Sequence, residues 1–241
     1  MGNGFVAWFA RSYKGIIVVL VAIMAIMMVV LATQHVNDSK PAAGAEASPV
    51  PTLTSAPHQL GDKVAFIGDS YTGGTGATDK SKAFPQVLAD KEGWRFTIVA
   101  CGGGGYVNPG NCGSAYQDHL AEALDAKPSI VIISGGRNDT TFPAEQVRAN
   151  AATTLQRVKD ALPDAKIYVT SPVWDDDAPS TKLAGVQDAV KSAAEAADVD
   201  YLDIGEPLHG HPELLSADSV HPNDDGHAAI ATAIAEALPA S

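Results

Sequence analysis

Three widely separated stretches of this 241-residue chain carry side chains that can do chemistry together. Gly68-Asp69-Ser70-Tyr71 closes the apolar run Val64 to Ile67. Cys101 opens into four consecutive glycines, Gly102 to Gly105. Asp218 and His221 stand three apart, just ahead of Pro222. A serine hydroxyl is a poor nucleophile until a base within hydrogen-bond reach takes its proton. In a turn, an Asp three residues before a His can reach Nδ1, fix the tautomer and leave Nε2 facing that serine. Glycines allow positive φ and close backbone approach, so that amide N–H groups can point at a developing oxyanion. Asn138, in Gly135-Gly136-Arg137-Asn138-Asp139, adds a side-chain amide donor. Such a set describes acyl transfer through a serine. Singly, each signal is weak: a polar turn, a flexible turn, a helix cap, or a chance Asp and His in a chain with seven histidines. The glycines do not fit a dinucleotide-binding Gly-x-Gly-x-x-Gly cleanly.

The elements that must bring these residues together alternate regularly. Short β-rich runs at 64–67, 95–100, 129–134, 166–171 and 200–204 read as strands, and 130–133 is apolar at every position. Helical spacing is expected over 83–91, 114–126, 143–162, 181–197 and 224–238, with Gly93 closing the first helix and Ser114 capping the second. Strands alternating with helices predict a three-layer α/β/α fold around a five-stranded parallel sheet. A flavodoxin-like order, 2-1-3-4-5, puts the C-terminal ends of strands one, two and three side by side, where open α/β sheets hold ligands. Ser70, the glycine run and Asn138 all lie at those ends.

The net charge of −12 argues against a nucleic-acid partner, whose phosphates call for a basic face. Residues 15–33 are apolar without a charge and close to the ~20 residues needed to cross a bilayer. Arg11 and Lys14 precede them, so the expected layout is a cytoplasmic 1–14, a transmembrane signal-anchor at 15–33 and an exported remainder. A cleaved signal peptide is the rival reading, although its apolar part is usually ~7–15 residues. Residues 34–60, rich in Ala, Pro and Ser, read as a tether, and 61–241 as one domain. The two cysteines, Cys101 and Cys112, then lie outside the membrane, where a disulfide is permitted; two free thiols are the alternative. Asp175-Asp176-Asp177 beside Trp174 reads as a solvated acidic loop rather than a calcium site, and Trp174 as either a pocket wall or a packing residue. His119 and His227 are expected to face solvent or cap helices.

Gly-Asp-Ser, a glycine-rich second loop, Gly-x-Asn-Asp and Asp-x-x-His-Pro occur in that order from Val64 to Leu238. This resembles the SGNH (GDSL-type) hydrolase family, named for its Ser, Gly, Asn and His blocks. The resemblance implies an esterase working through an acyl-enzyme. Ser70 would be the nucleophile, His221 the general base and then acid, and Asp218 its orienting partner. The oxyanion would be held by the N–H of Ser70, the side chain of Asn138 and one glycine N–H, with Gly105 expected first and Gly104 second. The glycine block departs from the family pattern, with four glycines in a row and Ala100 upstream. No cofactor or metal is implied; the partner is a small-molecule, glycan or lipid ester, and the membrane is met through the N-terminal helix. Transfer of the acyl group to another alcohol, or a silent carbohydrate-binding module on the same scaffold, are the alternatives.

Overall fold

Val64 to Ile67 and Ile130 to Ile133 are apolar at every position because both faces of their sheet are covered. Val64, Phe66, Ile130 and Ile132 pack into one core cluster, while Ala65, Ile67, Val131 and Ile133 pack into the other. This is the period-2 alternation of a pleated strand, with an apolar layer on either side. The computed structural model describes residues 61–239. The cytoplasmic, anchor and tether segments expected over 1–60 lie outside those residues. Among the described residues no helix is long and apolar enough to cross a membrane.

Five strands, β1 (Lys63–Gly68), β2 (Arg95–Ala100), β3 (Ile130–Ser134), β4 (Lys166–Thr170) and β5 (Asp200–Leu202), form one sheet in the order 2-1-3-4-5. All four pairings are parallel, and the register aligns Gly68 with both Ala100 and Ser134. That alignment sets three strand ends level, which is what the site requires. The helices are α1 (Phe84–Glu92), α2 (Ala121–Asp125), α3 (Ala144–Ala161), α4 (Thr181–Ala196) and α5 (Asp224–Ala237). α1 and α5 cover one face with Phe84, Leu88, Ile230 and Ile234; α3 and α4 cover the other with Val147, Leu155, Val186 and Val190. Gly93 ends α1 in the left-handed region, as its position predicts, and Ser180 caps α4 by accepting from the Leu183 N–H.

The one expected helix that does not form whole is 114–126. It splits into a 3-10 turn, Tyr116–Asp118, and the short α2. Ser114 does not cap it: its hydroxyl and carbonyl both meet Nε2 of His119, at 2.7 and 3.0 Å. The Tyr116 N–H donates to Gly105 O at 3.0 Å, which ties this segment to the glycine loop instead of to a helix. Tyr116 itself is buried edge-on against Tyr106. His227 also departs from expectation, being fully buried in α5. Its Nδ1 accepts from the Phe84 N–H and its Nε2 donates to Thr75 O, at 3.3 and 3.1 Å. Burial holds its pKa below the ordinary imidazole value, in keeping with a neutral ring that joins α5 to the start of α1.

Candidate active site

β1 stops at Gly68, where a Cβ would lie 2.1 Å from Thr72 Oγ1 and 2.2 Å from Ser134 O. Without one, the chain folds back at once. The Asp69 carboxylate accepts the Tyr71 N–H at 2.9 Å, and Asp69 O and Ser70 O accept from Gly73 and Thr75. The resulting turn holds Ser70 half-buried just past the end of β1, and among the described residues its N–H meets no acceptor.

The loop ahead of α5 meets Ser70 from across the fold. Nε2 of His221 lies 3.0 Å from Ser70 Oγ, and its Nδ1 lies 2.6 Å from Asp218 Oδ2. An ionised carboxylate only accepts, so Nδ1 carries the proton and Nε2 turns its lone pair to the serine. The other oxygen of Asp218 accepts from the N–H groups of His221 and Val220 and from the Ser216 hydroxyl, at 2.9, 3.0 and 2.9 Å. These donors, led by the His221 N–H, hold the Asp218 pKa well below the usual carboxylate range. Asn223 fixes where the loop ends, accepting from the Gly226 N–H at the start of α5 and donating to Glu213 O and Leu215 O.

The glycine loop is built around a buried carboxylate. Asp139, on the 3-10 turn Arg137–Asp139, accepts the N–H groups of Tyr106, Val107 and Asn108 at 2.8, 3.1 and 2.8 Å. Burial raises the Asp139 pKa, with the three donors opposing. A Cβ on Gly105 would sit 2.4 Å from both oxygens of that carboxylate, so only glycine lets the loop close over it. This corrects the expected oxyanion glycine. The Gly105 N–H donates to Asn108 O and the Gly104 N–H to Cys101 O, both at 2.9 Å. Gly102 and Gly103 line the cavity beside Ser70, with Gly103 at φ +70°, and among the described residues their N–H groups meet no acceptor. Counting residues from the strand missed this because the loop doubles back through a bridge between Gly104 and Pro109. Cys101 and Cys112 are joined in a disulfide that closes the same loop.

Asn138 lines the same cavity. One hydrogen of its Nδ2 is held by Gly104 O at 2.9 Å; the other has only a 3.4 Å contact to Asp69 Oδ2. Ser70, His221, Asp218 and Asn138 are therefore brought together as the sequence predicts, and Gly104 and Gly105 shape the loop without facing the cavity.

Sequence reasoning missed Arg137 and Tyr71. The Tyr71 hydroxyl donates to Val220 O, and Arg137 Nη1 donates to both that hydroxyl and Val220 O. The guanidinium stands 4.9 Å from the Tyr71 ring centre and 4.7 Å from that of Trp174, and its Nη2 pairs with Asp175 at 3.0 Å. Trp174 is thus a packing partner of Arg137, and Asp175 is an ion-pair partner rather than part of a solvated acidic loop. Among the described residues no cluster of three or more His, Cys, Asp or Glu side chains is arranged to hold a metal ion. A larger cavity, about 740 Å³, lies at the opposite end of the sheet around Lys166 and Asp200, with neither a serine nor a histidine on its walls.

Known proteins resemble this chain in sequence and in fold. The model of the GDSL-like lipase/acylhydrolase family matches residues 66–229. A protein of Mycobacterium tuberculosis named as a GDSL lipase is 34% identical over 188 residues, covering 71% of this chain and 79% of its own. Two solved structures share the fold at low identity. A psychrotrophic esterase from Pseudoalteromonas sp. superposes with TM-score 0.61 at 16% identity, over 73% of this chain and 96% of its own. A family two carbohydrate esterase from Clostridium thermocellum, solved with cellohexaose, superposes with TM-score 0.62 at 19% identity, over 76% and 65%.

Proposed function

The chain belongs to the GDSL-like lipase/acylhydrolase family, and from that premise we propose that it hydrolyses carboxylic esters through an acyl-enzyme on Ser70. The observation that carries this reading is the relay Asp218–His221–Ser70, at 2.6 and 3.0 Å. His221 Nε2 takes the proton as Ser70 Oγ attacks the ester carbonyl. Asp218 keeps the ring oriented and stabilises the imidazolium. The proton then passes to the alkoxide, the carbon–oxygen bond to the alcohol breaks, and the acyl group stays on Ser70. Water, activated by the same imidazole, releases the acid.

The tetrahedral oxyanion is held by the Ser70 N–H, the second Asn138 Nδ2 hydrogen and a glycine N–H from Gly102 or Gly103. What supports this pocket is that these donors border one cavity and lack strong partners of their own. The enzyme works outside the cytoplasm, anchored by 15–33 and tethered by 34–60. Arg11 and Lys14 ahead of the apolar run favour that orientation, and a disulfide at Cys101–Cys112 persists in an oxidising compartment.

Turnover of p-nitrophenyl acetate and labelling by a serine-directed phosphonate test the chemistry. Both are expected in the native chain and absent in Ser70→Ala; turnover that survives that change rejects the assignment. For the location, protease added to intact cells is expected to remove the domain, and its full protection would reject an extracytoplasmic site.

A further inference from the structure

The cavity at Ser70 is small, and its lining side chains are mostly polar or glycine. It measures about 350 Å³, and of its nine lining residues only Val220 carries a purely aliphatic side chain. Val220 is 39% exposed and offers a rim rather than a wall. Behind the Ser70 turn, the space between Tyr71, Phe84, Val173 and Ile230 amounts to about 10 Å³. That is room for one water at most, so no channel for an acyl chain leads inward between these four side chains. Nor is there an apolar apron around the mouth. The other large apolar side chain of similar exposure among the described residues is Phe96, at 36%. It pairs with Val64 near the start of β1, at the end of the sheet away from Ser70. The mouth carries instead the exposed Thr75 and Asn111, whose side-chain polar atoms have no protein partner among the described residues.

Taking the esterase reading above as its basis, we propose that the site takes esters of short acyl groups, acetyl foremost, on polyhydroxylated alcohols such as glycans, and turns over long-chain lipid esters poorly. A lipase gains from chain length because every buried methylene strengthens binding, by roughly fourfold each. That gain needs a wall of aliphatic or aromatic side chains long enough to follow the chain, and here Val220 is the one aliphatic side chain on the lining. Unpartnered amide and hydroxyl groups at the mouth match an alcohol that brings its own hydroxyls, since each such pairing replaces a water contact on both sides. The products are the short acid and the free hydroxyl of the glycan.

The test uses the full-length chain and measures kcat/KM on p-nitrophenyl acetate, butyrate and octanoate. It also measures acid released from acetylated xylan and from phosphatidylcholine vesicles. The expected result is a fall of about tenfold or more from acetate to octanoate, in contrast to the roughly fourfold rise per methylene of a lined trench. Acetate should leave the xylan, and no fatty acid should leave the vesicles. A flat or rising chain-length profile, fatty acid from vesicles, or intact acetylated xylan beside rapid turnover of p-nitrophenyl acetate would overturn the substrate assignment alone. No turnover of any ester, together with no phosphonate label on Ser70, sinks the esterase reading instead.

Discussion

Ser70 is fixed from within the fold and His221 from its surface, although their reactive atoms lie 3.0 Å apart. On the serine side the supports are buried. Gly68 ends the interior strand β1, Asp69 and Asp139 are enclosed, and the glycine loop is pinned by three N–H bonds to Asp139 and by the Cys101–Cys112 bridge. On the histidine side the Asp218 side chain is 50% exposed and Ser219 adopts a left-handed φ of +56°. That loop keeps its shape through local hydrogen bonds to Asp218, which water can contest. Besides the Ser70–His221 contact, Tyr71 and Arg137 tie the two sides at the histidine loop, both reaching Val220 O, while His227 and Asp224 of α5 bond Thr75 and Thr78 beyond the Ser70 turn. Packing holds the acceptor half of the site, whereas the base half needs a tie.

The largest effect should ignore the difference between the halves. Ser70→Ala and His221→Ala act on one proton-transfer unit, so each should lower kcat by roughly 10⁴-fold or more, and the double variant by hardly more than either. Additive losses on p-nitrophenyl acetate would mean that the two residues work separately. Next, if Asn138 donates to the oxyanion as proposed, Asn138→Ala should lower kcat by about 10²–10³-fold with little change in KM.

The two carboxylates contrast the halves through pH. Burial pushes the Asp69 pKa up to about 6, against the opposing pull of the Tyr71 N–H and the Arg137 charge. A carboxyl whose pKa is raised by folding binds its proton more tightly in the native state. Its ionisation therefore weakens the fold as pH rises from the ordinary carboxylate value of 3.8 to about 6, and the loss stays constant above that. Asp69→Asn keeps an acceptor for Tyr71 and removes the ionisation. Its stability relative to the native chain should rise across this window, by up to about 3 kcal/mol, as followed by thermal melts. Asp218, whose pKa is lowered and which is largely solvated, should show no such gain over the same window in Asp218→Asn. A slightly smaller effect belongs to Asp139→Asn, which turns an amide NH₂ toward backbone donors. Leaving a buried N–H unpaired costs about 1–3 kcal/mol, so the melting temperature should fall with kcat.

The sheet was legible because β1 and β3 are apolar on both faces and end in turn signals, and because helices alternate with the strands; the register that levels Gly68, Ala100 and Ser134 came only from the structure. Ser70, Asp218 and His221 were legible because local spacing suffices: a serine one turn beyond a strand, and an Asp and a His within one loop. Gly105 was misassigned for the opposite reason. Which glycine faces the cavity depends on a contact 34 residues away in sequence, where Asp139 forces the loop to wrap around its carboxylate. Arg137 and Tyr71 were silent too, since a cation among glycines and an aromatic after a serine gain meaning only once Val220 O lies between them. The helix expected over 114–126 failed similarly, the Tyr116 N–H being drawn to Gly105 O.

The smallest change tests the tie itself. Tyr71→Phe keeps the ring against Arg137 and His221 and removes the hydroxyl that donates to Val220 O and accepts from Arg137 Nη1. Each such bond is worth about 0.5–1.5 kcal/mol. If Tyr71 serves only to fill the core, kcat should hold and the melting temperature should carry the loss. If it positions the histidine loop, part of that energy goes into populations in which Nε2 no longer reaches Ser70 Oγ. Then kcat should fall about three- to tenfold while KM stays level. The phosphonate-labelling rate should fall by the same factor, because that reaction uses the same contact. A Tyr71→Phe variant with unchanged kcat and labelling would show that the Asp218 loop keeps its shape unaided.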